Sequence, residues 1–141
     1  MKAAIEKIVE TAILTKAKVL SDTRLLKEVE LVTENMVAAF KADKKVLFCG
    51  NGGSAADAQH LAAELSGRFY LDRPPLFAEA LHINSSFMTA VANDFGYDHV
   101  FARAVKAKGK AGDILVAIST SGNSPNILQA IAAAKKLSLI H

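Results

Sequence analysis

Apolar residues recur every three or four positions along the first 40 residues, which is the spacing of an amphipathic helix. The pattern predicts one helix over 2–20 and a second over 23–40, with Ser21 and Asp22 at the break. Each apolar stripe is broad enough to require burial against another surface. Two interpretations follow: the helices cover the sheet of their own domain as an antiparallel pair, or they form an interface between subunits.

Beyond residue 44 the pattern changes to short apolar runs that alternate with helical stretches. Strands are predicted over 46–49, 77–82 and 114–118, with a further strand beginning at 137. Helices are predicted over 55–65, 86–92, 97–108 and 127–136. Ser54 and Asp57 resemble a capping box at the start of the first of these helices. Strands that alternate with helices indicate an α/β fold with a parallel sheet in three layers.

Composition and charge narrow the possible function classes. The chain has 141 residues, the size of one domain, and a formal charge of +3, which gives no reason to expect a nucleic-acid partner. No apolar run is long enough to span a membrane, and the amino terminus lacks the pattern of a signal peptide. Cys49 is the only cysteine, so an internal disulfide is excluded and a cytoplasmic location is expected.

Two segments share one layout, in which a buried strand is followed by a turn of small and hydroxyl residues and then by a helix. The turns are 50–54, with three glycines, and 119–124, with four hydroxyl side chains. At the carboxyl ends of parallel strands, free N–H groups and hydroxyls suit a phosphate group. Neither turn has a Walker lysine or G-x-G-x-x-G spacing, so nucleotide binding is a weaker interpretation than binding of another phosphate-bearing ligand. An ordinary tight connection is the alternative for 50–54.

His60 and Glu64 lie four residues apart on the helix predicted after the first of these turns, so they share one face, with Asp57 on nearly the same side. Such a pair can hold a divalent ion, and the carboxylate can act as a proton-transferring base. A solvated surface pair is the alternative, because two ligands do not complete a metal site. Asn93 and Asp94 are compatible with a helix-ending turn.

The combination of these motifs resembles the phosphoheptose isomerase family, within the sugar isomerase (SIS) fold. The resemblance rests on residues 49–54, Asp57, His60, Glu64, the Gly67-Arg68 pair, residues 93–96 and residues 118–124. The serine-rich turn alone is typical of any phosphosugar-binding SIS domain. His60, Glu64 and the Asn93-Asp94 pair narrow the resemblance to the isomerase.

The resemblance implies a flavodoxin-like three-layer domain and a homotetramer built partly through the N-terminal helices. The implied reaction converts sedoheptulose 7-phosphate into D-glycero-D-manno-heptose 7-phosphate for bacterial lipopolysaccharide heptose. Carried over by position, the phosphate ligands are Ser119, Thr120, Ser121 and Ser124, helped by Ser54. The other substrate contacts are Asn51, Gly52, Gly53, Asn93 and Asp94. His60 and Glu64 would ligate one zinc ion, and Glu64 would also move the proton between C1 and C2.

One departure from the family concerns the metal site. The family completes it with a glutamine and a histidine from a late helix, which residues 1–141 do not contain. We therefore expect 1–141 to form a single SIS domain that is incomplete at its C-terminus, and a molecule ending at His141 to bind phosphosugar without isomerising it. The alternatives are a non-catalytic protein-binding SIS module of the replication-initiation regulator type and another phosphosugar-binding SIS domain. The pairing of His60 with Glu64 favours the isomerase.

Overall fold

The computed structural model describes residues 1–140, which fall into two compact units, one over residues 1–37 and one from Ala38 onward. The first unit contains helix α1 (Lys2–Ser21) and most of helix α2 (Thr23–Lys41). Asp22 separates the helices, and its carboxylate accepts a hydrogen bond of 2.9 Å from the backbone N–H of Leu25. The predicted break between the two helices is therefore confirmed, with Asp22 capping the start of α2.

The apolar stripes of α1 and α2 remain exposed. No residue of α1 is buried within the described chain, and Ala39 is the one buried residue of α2. The exposed apolar side chains of α1 include Ile5, Ile8, Val9, Ile13 and Leu14, and those of α2 include Leu25, Val29, Leu31 and Val32. None of the described helices is long and apolar enough to cross a membrane. Within residues 1–140, these stripes therefore lack the burial that their pattern predicts.

The second unit is a parallel α/β structure. Its sheet has the strand order β2-β1-β3, with β1 at Val46–Gly50, β2 at Ala78–Ala80 and β3 at Ile114–Ile118. The flanking helices are α3 (Gly53–Ser66), α4 (Ser85–Phe95), α5 (Val100–Lys108) and α6 (Pro125–Lys136), with a 3₁₀ turn at Tyr97–His99. This architecture confirms the predicted α/β fold with helices packed around a parallel sheet.

The core lies where β1 and β3 pack against α5 and α6. Leu47, Cys49 and Leu115 belong to one buried cluster with side chains of both helices, including Phe101 and Ile127. Burial raises the pKa of the Cys49 thiol to about 12, so this cysteine stays protonated at neutral pH. Cys49 is thus a core packing residue behind the first turn, as its position in a buried strand predicts.

Asp113 joins the amino ends of β1 and β3, at the edge of the sheet opposite the two turns. Its buried carboxylate accepts hydrogen bonds from the backbone N–H groups of Lys45 (3.1 Å) and Lys110 (2.7 Å), and from the Lys45 ammonium group (2.5 Å). Burial alone raises the pKa of Asp113, but these hydrogen bonds and the Lys45 charge outweigh it and hold the pKa below its ordinary value. The ionised Asp113 carboxylate therefore stabilises the fold by holding the chain before β1 next to the chain before β3.

Three predicted elements differ from the structure. The predicted helix over 97–108 divides into the 3₁₀ turn and α5, and the predicted strand over 77–82 contracts to the three residues of β2. The strand predicted to begin at 137 is wrong at its start, because Leu137 still bonds to the last carbonyls of α6 and Ser138 has a positive φ of 57°. Ile140, further along this segment, forms a parallel bridge to Ile114.

Candidate active site

The two predicted phosphate-binding turns lie side by side at the carboxyl edge of the sheet. β1 and β3 are parallel neighbours, and Gly50 at the end of β1 pairs with Ile118 at the end of β3. The segment that follows β1, residues 50–54, is called the first turn below, and residues 119–124 are called the serine turn. Their adjacency follows from the parallel pairing, and this edge is where open α/β sheets bind ligands.

Glycine is required at two positions of the first turn for different reasons. A Cβ atom on Gly50 would lie 2.5 Å from the carbonyl oxygen of Ser54, so the backbone closes tightly there. Gly52 has a φ of +55°, which side-chain-bearing residues rarely adopt, and it caps the start of α3 without a side-chain hydrogen bond. The capping box predicted for Ser54 and Asp57 is therefore wrong, because α3 begins two residues earlier, with Gly52 as its N-cap.

The serine turn gathers hydroxyl groups at the start of α6. The Oγ atom of Ser119 lies 3.4 Å from that of Ser121 and 3.5 Å from that of Ser124. Ser119 and Ser121 also accept hydrogen bonds from the backbone N–H groups of Gly122 (3.1 Å) and Asn123 (3.2 Å). Thr120 and Ser121 are exposed, so the cluster is open to a ligand. Neutral donors at a helix start favour an anion such as a phosphate group.

An amide pair connects the first turn to α6. The side chains of Asn51 and Asn126 donate to one another, and both hydrogen bonds measure 2.9 Å. The hydroxyl of Tyr97 donates a third hydrogen bond, of 3.2 Å, to the Oδ1 atom of Asn51. Asn126 and Tyr97 were not among the predicted site residues, since a contact across 75 positions leaves no local pattern in the sequence. The one available signal was a polar residue directly after Pro125 in an otherwise apolar helix face.

His60 and Glu64 lie on one face of α3, with the Nε2 atom of His60 3.6 Å from the Oε1 atom of Glu64. The imidazole is largely exposed and the carboxylate half-exposed, so both can take another partner. An imidazole nitrogen and a carboxylate oxygen this close fit two positions of a zinc site. Within residues 1–140, no group of three or more histidine, cysteine or acidic side chains could hold a metal ion, and Asp57 adds no third ligand.

The segment after α3 is fixed to the end of that helix by Arg73. The guanidinium donates to the carbonyl oxygens of Leu65 (2.9 Å) and Glu64 (3.1 Å), which are among the carbonyls that a helix end leaves free. Side chains of this segment and of Glu64 line a shallow cavity of about 190 Å³. The loop predicted over 68–75 is confirmed, while its anchoring role beside Glu64 was not predicted.

Asn93 and Asp94 are the predicted substrate contacts on α4. Asn93 and Asp94 lie in the last turn of α4, where the Asn93 amide donates to the Asp94 carboxylate (2.9 Å), and no hydrogen bond in the described part of the chain joins them to either turn. Their substrate contacts remain a prediction.

His82 follows β2, and its Nδ1 atom is buried without a hydrogen-bond partner among residues 1–140. Burial lowers the pKa of His82, so its neutral form is favoured.

Comparisons with known proteins identify the family. The SIS domain family profile matches residues 8–140. The chain is 53% identical to the phosphoheptose isomerase of Mycobacterium bovis (strain BCG / Pasteur 1173P2) over 96% of its length and 69% of the relative's. It is 47% identical to the phosphoheptose isomerase of Clostridium acetobutylicum over 99% of its length and 71% of the relative's.

Solved structures agree with the sequence relatives. The structure of phosphoheptose isomerase GmhA from Neisseria gonorrhoeae superposes with a TM-score of 0.90 at 41% identity, covering 98% of this chain and 71% of that one. A phosphoheptose isomerase from Francisella tularensis gives a TM-score of 0.89 at 38% identity, covering 97% of this chain and 71% of that one. The chain belongs to the phosphoheptose isomerase family of SIS-domain proteins.

Proposed function

We propose that this protein is an isomerase that converts sedoheptulose 7-phosphate into D-glycero-D-manno-heptose 7-phosphate. The observation that carries the proposal is the arrangement at one sheet edge. The serine turn is built to hold a phosphate, and the neighbouring first turn opens the helix that carries His60 and Glu64. Family membership with proteins named phosphoheptose isomerase supports the same reaction.

Phosphate binding is assigned to the serine turn with help from Ser54. The Oγ atom of Ser119 lies within 3.5 Å of the Oγ atoms of Ser121 and Ser124, and Thr120 is the residue between Ser119 and Ser121. Neither turn contains a lysine or arginine, so binding relies on neutral hydroxyl and backbone donors and on the positive ends of α3 and α6. The open backbone at Gly53, where a Cβ atom would meet nothing within 4 Å, leaves room for the sugar.

Proton transfer is assigned to Glu64. In a ketose-to-aldose conversion, the base removes a proton from C1, the C1–C2 enediol forms, and the same proton is delivered to C2. A second proton moves from the C1 hydroxyl to the C2 oxygen, so the atoms balance and no oxidant is needed. A carboxylate on a helix that starts at the substrate-binding turn is suited to the first of these transfers.

Zinc is the cofactor that fits His60 and Glu64 best. Their nitrogen and oxygen donors match two zinc ligands, and we propose that the late-helix glutamine and histidine implied by the family complete the site. When bound, the ion would polarise the substrate carbonyl and stabilise the negative charge that develops on its oxygen. Metal analysis of wild-type enzyme beside the His60→Ala variant tests this assignment.

The proposed assembly is a homotetramer that functions in the cytoplasm. The exposed apolar stripes of α1 and α2 support burial between subunits, since a large uncovered apolar surface marks an interaction site. The single, buried and protonated Cys49 is compatible with a reducing compartment. The non-catalytic replication-regulator module and other phosphosugar-binding SIS domains gain no support from the relatives named above.

The direct test of function is incubation of the full-length enzyme with sedoheptulose 7-phosphate and zinc, with the sugar followed by NMR. The proposal predicts new aldose signals whose growth depends on enzyme concentration. Binding of the ketose without any aldose would contradict the isomerase and favour a phosphosugar-binding domain.

A further inference from the structure

We propose that Asn126 is a positioning residue that holds the first turn, and with it the helix carrying Glu64, in register with the serine turn. The inference rests on the proposed function, because it concerns how that site places its substrate. Among the described residues, no hydrogen bond joins the Asn126 side chain to a hydroxyl of the serine turn or to Glu64. It acts through Asn51.

The amide pair fixes the first turn to the start of α6. Each amide donates one N–H and accepts one, so the two side chains face each other edge to edge with both hydrogen bonds at 2.9 Å. Asn126 is 2% exposed, and Asn51 is half-buried. A buried amide without a hydrogen-bond partner is costly in free energy. The arrangement of the first turn and α6 that keeps both hydrogen bonds is therefore favoured over arrangements in which the two are displaced.

Tyr97 sets the direction of the Asn51 amide. Its hydroxyl donates to Oδ1 of Asn51, the same oxygen that accepts from Asn126. Both acceptor positions of that carbonyl oxygen are therefore used within the protein. One amide N–H of Asn51 and the turn's backbone remain for substrate. The main role of the Asn51 side chain is therefore to connect the first turn to α6.

The link determines where the reacting carbons lie relative to the base. The phosphate is held by the serine turn, which leads directly into α6 and Asn126. Glu64 is carried by α3, which starts at the first turn next to Asn51. If the link is lost, each element still binds its own part of the substrate, but C1 shifts relative to the Glu64 carboxylate. A misplacement of about 1 Å can reduce turnover by about 10²-fold.

The test compares Asn126→Ala with Gln129→Ala, a control that removes another side-chain amide from α6 outside the pair. For each full-length variant we would measure kcat and KM for sedoheptulose 7-phosphate with zinc, and the affinity for inorganic phosphate. We expect Asn126→Ala to lose about 10- to 100-fold in kcat while its phosphate affinity and KM stay within about 3-fold of wild type. Gln129→Ala should match wild type in all three.

Three outcomes separate the possibilities. An unchanged kcat in folded Asn126→Ala, with wild type active, overturns the inference but leaves the proposed function standing. A loss of phosphate affinity that matches the loss of kcat also overturns it, because Asn126 would then support the serine turn itself. A wild type that converts no substrate contradicts the proposed function instead.

Two further variants test the inference, and Tyr97→Phe, at an exposed residue, keeps it testable if substitutions at the buried Asn126 fail to fold. Asn126→Asp keeps the shape of the side chain but cannot donate to Asn51, and Tyr97→Phe removes only the third hydrogen bond from a residue that is 52% exposed. Both should lower kcat with little change in phosphate affinity, Tyr97→Phe less than Asn126→Asp. Wild-type kcat in both variants would overturn the inference.

Discussion

The Nε2 atom of His60 lies 3.6 Å from the Oε1 atom of Glu64, one helical turn further along α3. This distance is longer than a good hydrogen bond, so neither group is saturated by the other. Both are exposed on a helix whose first residues belong to the turn that we propose binds the substrate. The same pair elsewhere on a surface helix would be an ordinary weak contact, and its place on α3 is the reason that we propose a chemical role for it.

The serine turn should provide most of the affinity for phosphate. Replacing Ser119 and Ser121 with alanine removes two hydroxyls of the cluster, and each hydrogen bond lost to a charged group is worth about 1.5–3 kcal/mol. Calorimetry with sedoheptulose 7-phosphate should show strongly weakened binding. Ser86→Ala, at an exposed position on α4, is the matched control. Wild-type affinity in the double variant would remove the serine turn from the phosphate site.

Two alanine substitutions in the first turn should have separable effects. Gly50→Ala places a Cβ atom 2.5 Å from backbone of Ser54, so we expect a loss of about 1–3 kcal/mol in the free energy of unfolding, as for other overpacked sites. Gly53→Ala meets nothing within 4 Å and should leave the free energy of unfolding nearly unchanged while obstructing substrate. Denaturant unfolding and substrate titration measure the two effects. Equal stability of both variants would contradict the tight closure at Gly50.

Asp113 should make stability depend on acidic pH. Because its folded-state pKa lies below the ordinary value of 3.8, the unfolded chain binds the proton more readily. The stabilisation is therefore present above pH 3.8 and is lost as the pH falls through the folded-state pKa. Asp113→Asn should cost about 1.5–3 kcal/mol at pH 7 and flatten the acid dependence. Denaturant unfolding between pH 7 and pH 3 tests this, with exposed Asp98→Asn as the control. An unchanged acid dependence would contradict it.

The uncovered stripes of α1 and α2 should be buried between copies of the chain. Light scattering at micromolar concentration should report a tetramer, and Ile8→Glu with Ile13→Glu should reduce its mass by placing charges on the α1 stripe. Lys16→Glu changes the charge of α1 without removing an apolar side chain and serves as the control. A wild-type monomer would refute the interface.

The strands and turns that carry the site were predictable because local pattern determines them. β1 and β3 are continuous apolar runs bounded by polar residues, which is how buried parallel strands appear in sequence. β2 is only three residues long, so its apolar flanks extended the prediction beyond the real ends. The contact of Asn126 with Asn51 was not predictable, since it depends on how two distant segments meet in the folded sheet.

We propose that Glu64 moves the proton between C1 and C2 of a substrate that is held by its phosphate. Glu64→Gln keeps the shape of the side chain but removes the base, so turnover of sedoheptulose 7-phosphate should fall by about 10²- to 10⁴-fold, the usual contribution of a general base. Turnover and substrate binding are measured on the same full-length variant, beside the wild type and with zinc present. Turnover should be lost while substrate binding through the phosphate is retained. Normal turnover in Glu64→Gln would contradict the proton-transfer role, and equal losses of binding and turnover would make Glu64 a structural residue of α3.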